Sequence, residues 1–177
     1  MAASRLLSDM RCGPIIVMGV SGCGKTTIGE TLARHFDVPF IEGDALHPQT
    51  NIDKMSGGTP LNDNDRWPWL EEIGRQLRAK KAIAGGGVAT CSALKKIYRA
   101  YLREAAGADL RFVFLNCSRT ELESRMAARK HHFMPPFLLA SQLSTLESPV
   151  GESGVVSIDG DADPGTIVRE VLALFRS

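Results

Sequence analysis

The chain has no apolar run approaching the roughly 20 residues of a membrane-spanning helix, so no segment reads as a span. It has no C-x-x-C pair. Its four cysteines, Cys12, Cys23, Cys91 and Cys117, are scattered, which sets aside a disulfide framework and a zinc site and fits reduced cytosolic thiols. Neither sign of charge is in excess. A formal net charge of +1 gives no argument for nucleic acid or an anionic membrane as the main partner. Internal repeats and low-complexity tracts are absent as well. Residues 1–13, MAASRLLSDMRCG, lack the apolar core of a secretory signal. They read as a flexible leader ahead of one domain, 14–177, with a cytoplasmic location expected and an organelle-targeting leader as the alternative. At 177 residues, 44% apolar and 23% charged, the chain has the composition of a soluble globular domain with a sizeable core.

What is present begins with GVSGCGKTT, residues 19–27, directly after the apolar run Ile15-Ile16-Val17-Met18. Gly19, four residues, then Gly24-Lys25-Thr26 is phosphate-loop spacing. Glycines let the backbone turn tightly and aim successive N–H groups at phosphate oxygens. A helix starting at Lys25 adds its positive dipole end at the same place. Gly19, Val20, Ser21, Gly22, Cys23, Gly24, Lys25, Thr26 and Thr27 are therefore the candidate ATP-binding residues. Lys25 would reach the β- and γ-phosphates, and the Thr26 hydroxyl would ligate Mg²⁺.

Strand-like and helical runs alternate along the rest of the chain. Strands are expected at 14–18, 38–41, 88–91, 110–115 and 154–158. Helices are expected at 26–36, 49–56, from about Asp65 with Pro68 in its first turn, 93–106, 119–130, 137–146 and 164–176. Alternation of this kind implies an α/β fold, a parallel sheet with helices on both faces. Ligands of such sheets bind at the carboxyl ends of the strands. That rule gathers the phosphate loop with Asp44 and His47 after the second strand, Cys91, Ser92 and Lys95 after the third, and Asn116, Cys117 and Ser118 after the fourth. Asp44 beside the loop would hold Mg²⁺ through water or accept a proton from an attacking hydroxyl; as an isolated residue it would be an Asx turn or a helix cap. Arg125 and Arg129, four apart on one helix, read either as a solvated basic face or as a clamp over the phosphates. KHHFMPP after them has the mixture of a small lid, at about 130–137. Two missing motifs narrow the class. There is no N-K-x-D guanine reader, since Asn51-Ile52-Asp53-Lys54 scrambles the order, and no long apolar strand ends in the acid typical of motor ATPases. A small phosphotransferase is favoured over a GTP switch or a motor.

With GVSGCGKTT, three further stretches carry a resemblance: GDALHPQTNIDKMSGGTPLNDNDRWPWL, CSALKKIYR and HHFMPPFLLASQLSTLESP. Together they span residues 19 to about 149, and the chain resembles the P-loop gluconokinases. The resemblance implies a nucleoside-monophosphate-kinase-like fold, ATP with Mg²⁺, D-gluconate phosphorylated on its 6-hydroxyl, and commonly a homodimer. It implies Lys25, Asp44, Arg125 and Arg129 as the catalytic set. The chain departs from the family pattern at Glu42, where Asp is usual, at His131, where Gly is common, and at Ala100, which replaces an Asp after Tyr98-Arg99. The gluconate carboxylate calls for one or two cations from Lys54, Arg66, Lys95 and Arg99, with His47 and Asp44 also expected near the substrate. Shikimate kinase is the alternative within the same chemistry, since it carries a Gly-Gly-Gly. Here Gly85-Gly86-Gly87 precedes the third strand and reads as a turn. A nucleotide-dependent switch that transfers nothing is the alternative from another class.

Overall fold

A computed structural model of the chain describes residues 12–128 and 136–176. The five strands are β1 (Gly13–Met18), β2 (Phe40–Ile41), β3 (Gly86–Cys91), β4 (Arg111–Asn116) and β5 (Val155–Asp159). They form one parallel sheet in the order β2-β3-β1-β4-β5. Seven helices are described: α1 (Lys25–Phe36), α2 (Gln49–Ser56), α3 (Asp63–Ala84), α4 (Lys96–Ala106), α5 (Arg119–Ala128), α6 (Pro136–Thr145) and α7 (Pro164–Arg176). Among the described residues no helix is long and apolar enough to cross a membrane.

Side chains of the central strands alternate between two cores, as period-2 geometry requires. Ile15 and Val17 of β1 and Val113 and Leu115 of β4 join Ile28 and Leu32 of α1 and Ile167 and Val171 of α7. Ile16, Met18, Phe112 and Phe114 point the other way, to Trp69, Leu70, Ile73 and Leu77 of α3 and Tyr98 and Leu102 of α4. Both faces of β1 are thus covered, and the loop that leaves it is held from below by a strand buried throughout except at half-buried Gly13.

Several element ends differ from the sequence expectation, each for a local reason. β2 starts at Phe40 because the Val38 N–H closes the end of α1 on the Ala33 carbonyl, 3.0 Å away, and Pro39 has no N–H to give. α3 starts at Asp63, ahead of the expected Asp65, because Asn62 and Asp65 form a reciprocal capping box. Pro68 therefore lies beyond the first turn, where it removes the N–H that would bond the Asn64 carbonyl. The glycine triplet is only partly a turn. Gly85 ends α3 with φ 75°, but Gly86 and Gly87 belong to β3. A Cβ on Gly86 would lie 2.6 Å from the Gly13 carbonyl oxygen, so a bare backbone is needed for β3 to pair with β1 there. Of the expected leader, residues 1–11 lie outside the described residues, as do Arg129 and residues 130–135 of the expected lid.

Arg99 is the largest correction. Expected to bind substrate, it is fully buried on α4 and ties the loop after β3 to the segment ahead of β5. Its guanidinium donates to Glu152 through Nε at 3.0 Å and Nη2 at 2.5 Å, to the Ala93 and Leu94 carbonyls at 2.8 and 3.2 Å, and to the Glu147 carbonyl at 3.1 Å. Those bonds hold Ala93 at φ 46° and delay α4 until Lys96. The Arg99 guanidinium holds the Glu152 carboxyl below its usual range. Stability from a depressed carboxyl is present above the unfolded-state pKa and is lost as pH falls through the folded one. Replacing Arg99 by Met should cost about 3–5 kcal/mol, because it strands a carboxylate and three carbonyls. Urea denaturation at pH 7 measures this, and the gap between parent and variant should narrow in acid.

Candidate active site

The phosphate loop turns from β1 into α1 with Gly19, Gly22 and Gly24 at φ 142°, 87° and 94°. Only glycine holds such angles without strain. Val20, Gly22 and Cys23 are buried, and Thr26 and Thr27 are exposed on the first turn of α1. Lys25 Nζ donates to the Val20 carbonyl at 3.0 Å, so its ammonium lies over the loop.

The tip of β2 delivers two acids, and β3 supplies a threonine that holds the first of them. Glu42 accepts from Thr26 Oγ1 at 2.6 Å through one carboxylate oxygen and from Thr90 Oγ1 through the other. Thr90 Oγ1 in turn accepts from the Gly43 N–H at 2.9 Å. Asp44 follows in the short 3₁₀ turn Gly43–Leu46, with its side chain exposed to the cavity. Thr26, Glu42 and Asp44 are hard oxygen donors of the kind Mg²⁺ takes. Among the described residues no group of three or more His, Cys, Asp or Glu side chains could hold a metal. A Mg²⁺ held by Thr26 with Glu42 or Asp44 would need nucleotide phosphates and water to complete its shell.

A cavity of about 710 Å³ opens beside the loop. Ser21 and Lys25 form its loop side, and Asp44, His47 and Trp69 a second wall. Its far wall is the start of α3 with Lys95 and Tyr98, and its fourth wall is α6. Trp69 is buried, donates from Nε1 to the Gly43 carbonyl at 2.7 Å, and stacks on His47 with ring centres 4.1 Å apart. Asn51 Nδ2, which can only donate, lies 3.2 Å from His47 Nδ1, so the ring proton belongs on Nε2. Burial, with Arg66 adding to it and Asp44 opposing, brings the His47 pKa down to about 4. The imidazole is neutral at physiological pH.

The expected cations divide. Arg66 lines the cavity with its guanidinium 5.6 Å from the Tyr98 ring centre, and no carboxylate among the described residues forms an ion pair with it. Lys95 also lines the cavity, but Asp63 neutralises it at 2.8 Å and accepts from the Tyr98 hydroxyl as well. Those bonds hold the Asp63 carboxyl below its ordinary value. Lys54 does not line the cavity. It pairs with Asp65 at 2.6 Å and braces the start of α3 from outside, which corrects its expected place among the substrate ligands. Arg125 stands behind the loop, bonded to Glu121 at 2.7 Å, the Cys23 carbonyl at 3.3 Å and the Gly160 carbonyl at 2.9 Å. Of the residues gathered after β3, Ser92 lines the cavity, whereas burial pushes the Cys91 thiol up to about 12 and keeps it protonated. After β4, Cys117 packs toward the Cys23 carbonyl at 3.7 Å, on the Arg125 side of the loop.

Sequence reasoning left two groups without a role. Glu42 registered only as a departure from a pattern, although an acid two residues before Asp44 at a strand tip was signal enough to place it near Thr26. Gln142 on α6 accepts the Ser21 N–H at 2.7 Å. Nothing in its local sequence points 121 residues back to the loop.

Residues 15–149 match the family model described as an AAA domain. A gluconokinase of Gluconobacter oxydans is 46% identical over 92% of this chain and 91% of its own. The thermoresistant gluconokinase of Escherichia coli is 38% identical, with 91% and 92% covered. A crystal structure of a gluconokinase from Sinorhizobium meliloti superposes with TM-score 0.85 at 52% identity, covering 93% of this chain and 91% of that one. A shikimate kinase of Aquifex aeolicus, at 16% identity and TM-score 0.57, shares the fold alone. With a family model matching residues 15–149 and gluconokinases 38–52% identical over more than nine-tenths of its length, the chain belongs to the gluconokinase family of P-loop kinases.

Proposed function

We propose that the protein transfers the γ-phosphoryl group of ATP to the 6-hydroxyl of D-gluconate, giving 6-phospho-D-gluconate and ADP. The observation that carries this is one cavity with the phosphate loop at one end and, among polar side chains at the other, the Arg66 guanidinium, which forms no ion pair among the described residues. A phosphate donor site beside an anchor for a small polar acid is what the reaction needs. Room for an acceptor argues against a switch that transfers nothing.

Gly19 to Thr27 would hold the triphosphate, with Lys25 moving from the Val20 carbonyl to the phosphates. Mg²⁺, held by Thr26 and through water by Asp44 or Glu42, would supply charge neutralisation at the phosphates. Asp44 would accept or orient the hydroxyl proton. Arg66 would bind the gluconate carboxylate in bidentate fashion. Neutral His47 would offer its Nε2–H to a hydroxyl. Lys95, already charge-balanced by Asp63, would position hydroxyls and not the carboxylate. Arg125 and Arg129 complete the proposal as phosphate-side cations; for Arg125 this requires release of the loop and Gly160 carbonyls. Family membership is what supports a homodimer, which sedimentation would test.

ADP release should depend on D-gluconate and be at least about 10²-fold weaker with glucose, which leaves the Arg66 charge unpaired. Equal turnover of both would remove the proposal. Arg66→Met should raise the gluconate KM by roughly 30-fold or more, with the KM for ATP nearly unchanged.

Asp44→Asn should lower kcat by about 10²–10⁴-fold, while ATP binding without gluconate, measured by calorimetry, changes little. Loss of ATP binding would make Asp44 a metal or structural residue.

The imidazole of His47 should titrate near 4 by NMR in the folded protein. The unfolded chain takes up that proton first, near pH 6.5. The linked stability is therefore full above about 6.5 and declines as pH falls towards 4.

A further inference from the structure

Gln142 sits between the two halves of the proposed reaction. Leu139 is buried in the core cluster that also holds residues of α1 and α7, and Leu143 packs against that cluster, which anchors this turn of α6. Leu138, Ser141, Gln142 and Thr145, one helical stripe, face the cavity. From there the Gln142 amide reaches across to the loop, where Oε1 accepts the Ser21 N–H at 2.7 Å. Ser21 is one of the loop residues on the cavity's own wall, so its N–H faces the acceptor side. No other acceptor for that N–H exists among the described residues.

An amide is a suitable partner because it has two unlike ends. Its oxygen satisfies the loop N–H while the loop holds nothing. A terminal phosphate oxygen arriving at Ser21 would take over that N–H and repel the amide oxygen. Rotation about the last side-chain bond then brings the Nε2 hydrogens to the same spot, as donors to the anion or to the acceptor hydroxyl beside it. That torsion is broad and roughly two-fold, so the exchange needs no backbone movement.

We propose that Gln142 is a specificity-determining residue that reads the terminal phosphate of the nucleotide, accepting from Ser21 in the empty site and donating to the transferring phosphoryl group in the loaded one. The inference rests on the kinase reading of the site, but not on gluconate being the acceptor.

The test uses the full chain and two variants of equal length. Gln142→Glu keeps an acceptor for Ser21 and removes the donor. It should melt within a few degrees of the parent. A non-hydrolysable ATP analogue should bind it about tenfold or more weakly, whereas ADP, which lacks the terminal phosphate, should bind nearly as before. Gln142→Met removes both ends of the amide. It should bind the non-hydrolysable ATP analogue about tenfold or more weakly than the parent and leave ADP affinity unchanged. The titrations are run without gluconate, so they stand whatever the acceptor proves to be. Failure of the gluconate reading would appear separately, as no gluconate-dependent ADP release by the parent. An unchanged ratio of ATP-analogue to ADP affinity in Gln142→Glu would overturn the proposal. So would an unchanged ratio in Gln142→Met. If Gln142→Glu does not fold, the Gln142→Met result decides.

Discussion

Two backbones touch at Gly43, and the site is arranged around that contact. A Cβ there would stand 1.9 Å from the Thr90 carbonyl oxygen, so no other residue fits without parting the chain after β2 from β3. Both polar groups of Gly43 are answered by side chains: its N–H by Thr90 Oγ1 and its carbonyl by the buried Trp69 indole. The residue before it, Glu42, meets Thr26 of α1; the residue after it, Asp44, faces the cavity. Trp69 carries His47 on its face. One glycine thus sets the spacing between the phosphate loop, two acids and an imidazole. Since the contact is backbone against backbone, the spacing does not depend on rotamers.

The cavity's charges are sorted by the same economy of partners. Four basic side chains were candidates to meet an acidic substrate. Three are already matched: Arg99 by Glu152, Lys54 by Asp65 and Lys95 by Asp63. Arg66 alone among the four has no acid in contact among the described residues, and it stacks over Tyr98 inside the cavity. An unmatched guanidinium in a half-enclosed space is strongly driven to find an anion.

Much of this fold was legible in the sequence, because the signals were local. Phosphate-loop spacing, the apolar run before it and the alternation of strand and helix periods need only neighbouring residues to be read. Lys25, Asp44 and His47 followed from the rule that strand ends gather ligands, and the structure brings all three to one cavity. Arg66 and Arg99 could not be told apart, since burial by Glu152, 53 residues away, is invisible in a stretch such as CSALKKIYR. Gln142 was hidden for the same reason: its partner, Ser21, lies 121 residues off. The glycine triplet misled because a glycine needed for close approach and a glycine needed for a turn look alike in one dimension.

The position of β1 also governs when the protein can become active during its own synthesis. β1 is first in chain order among the five described strands and the middle strand of the sheet, yet its neighbours are β3, paired from Gly13 with Gly86, and β4, paired from Ile15 with Arg111. Until the ribosome has released β4, one edge of β1 has nothing to bond, and its five buried side chains lack half their cover. Pairings this distant in sequence form slowly and leave apolar strands exposed meanwhile. The loop that follows β1 therefore precedes in the chain both strands that flank β1, and it acquires its shape only after they have been made.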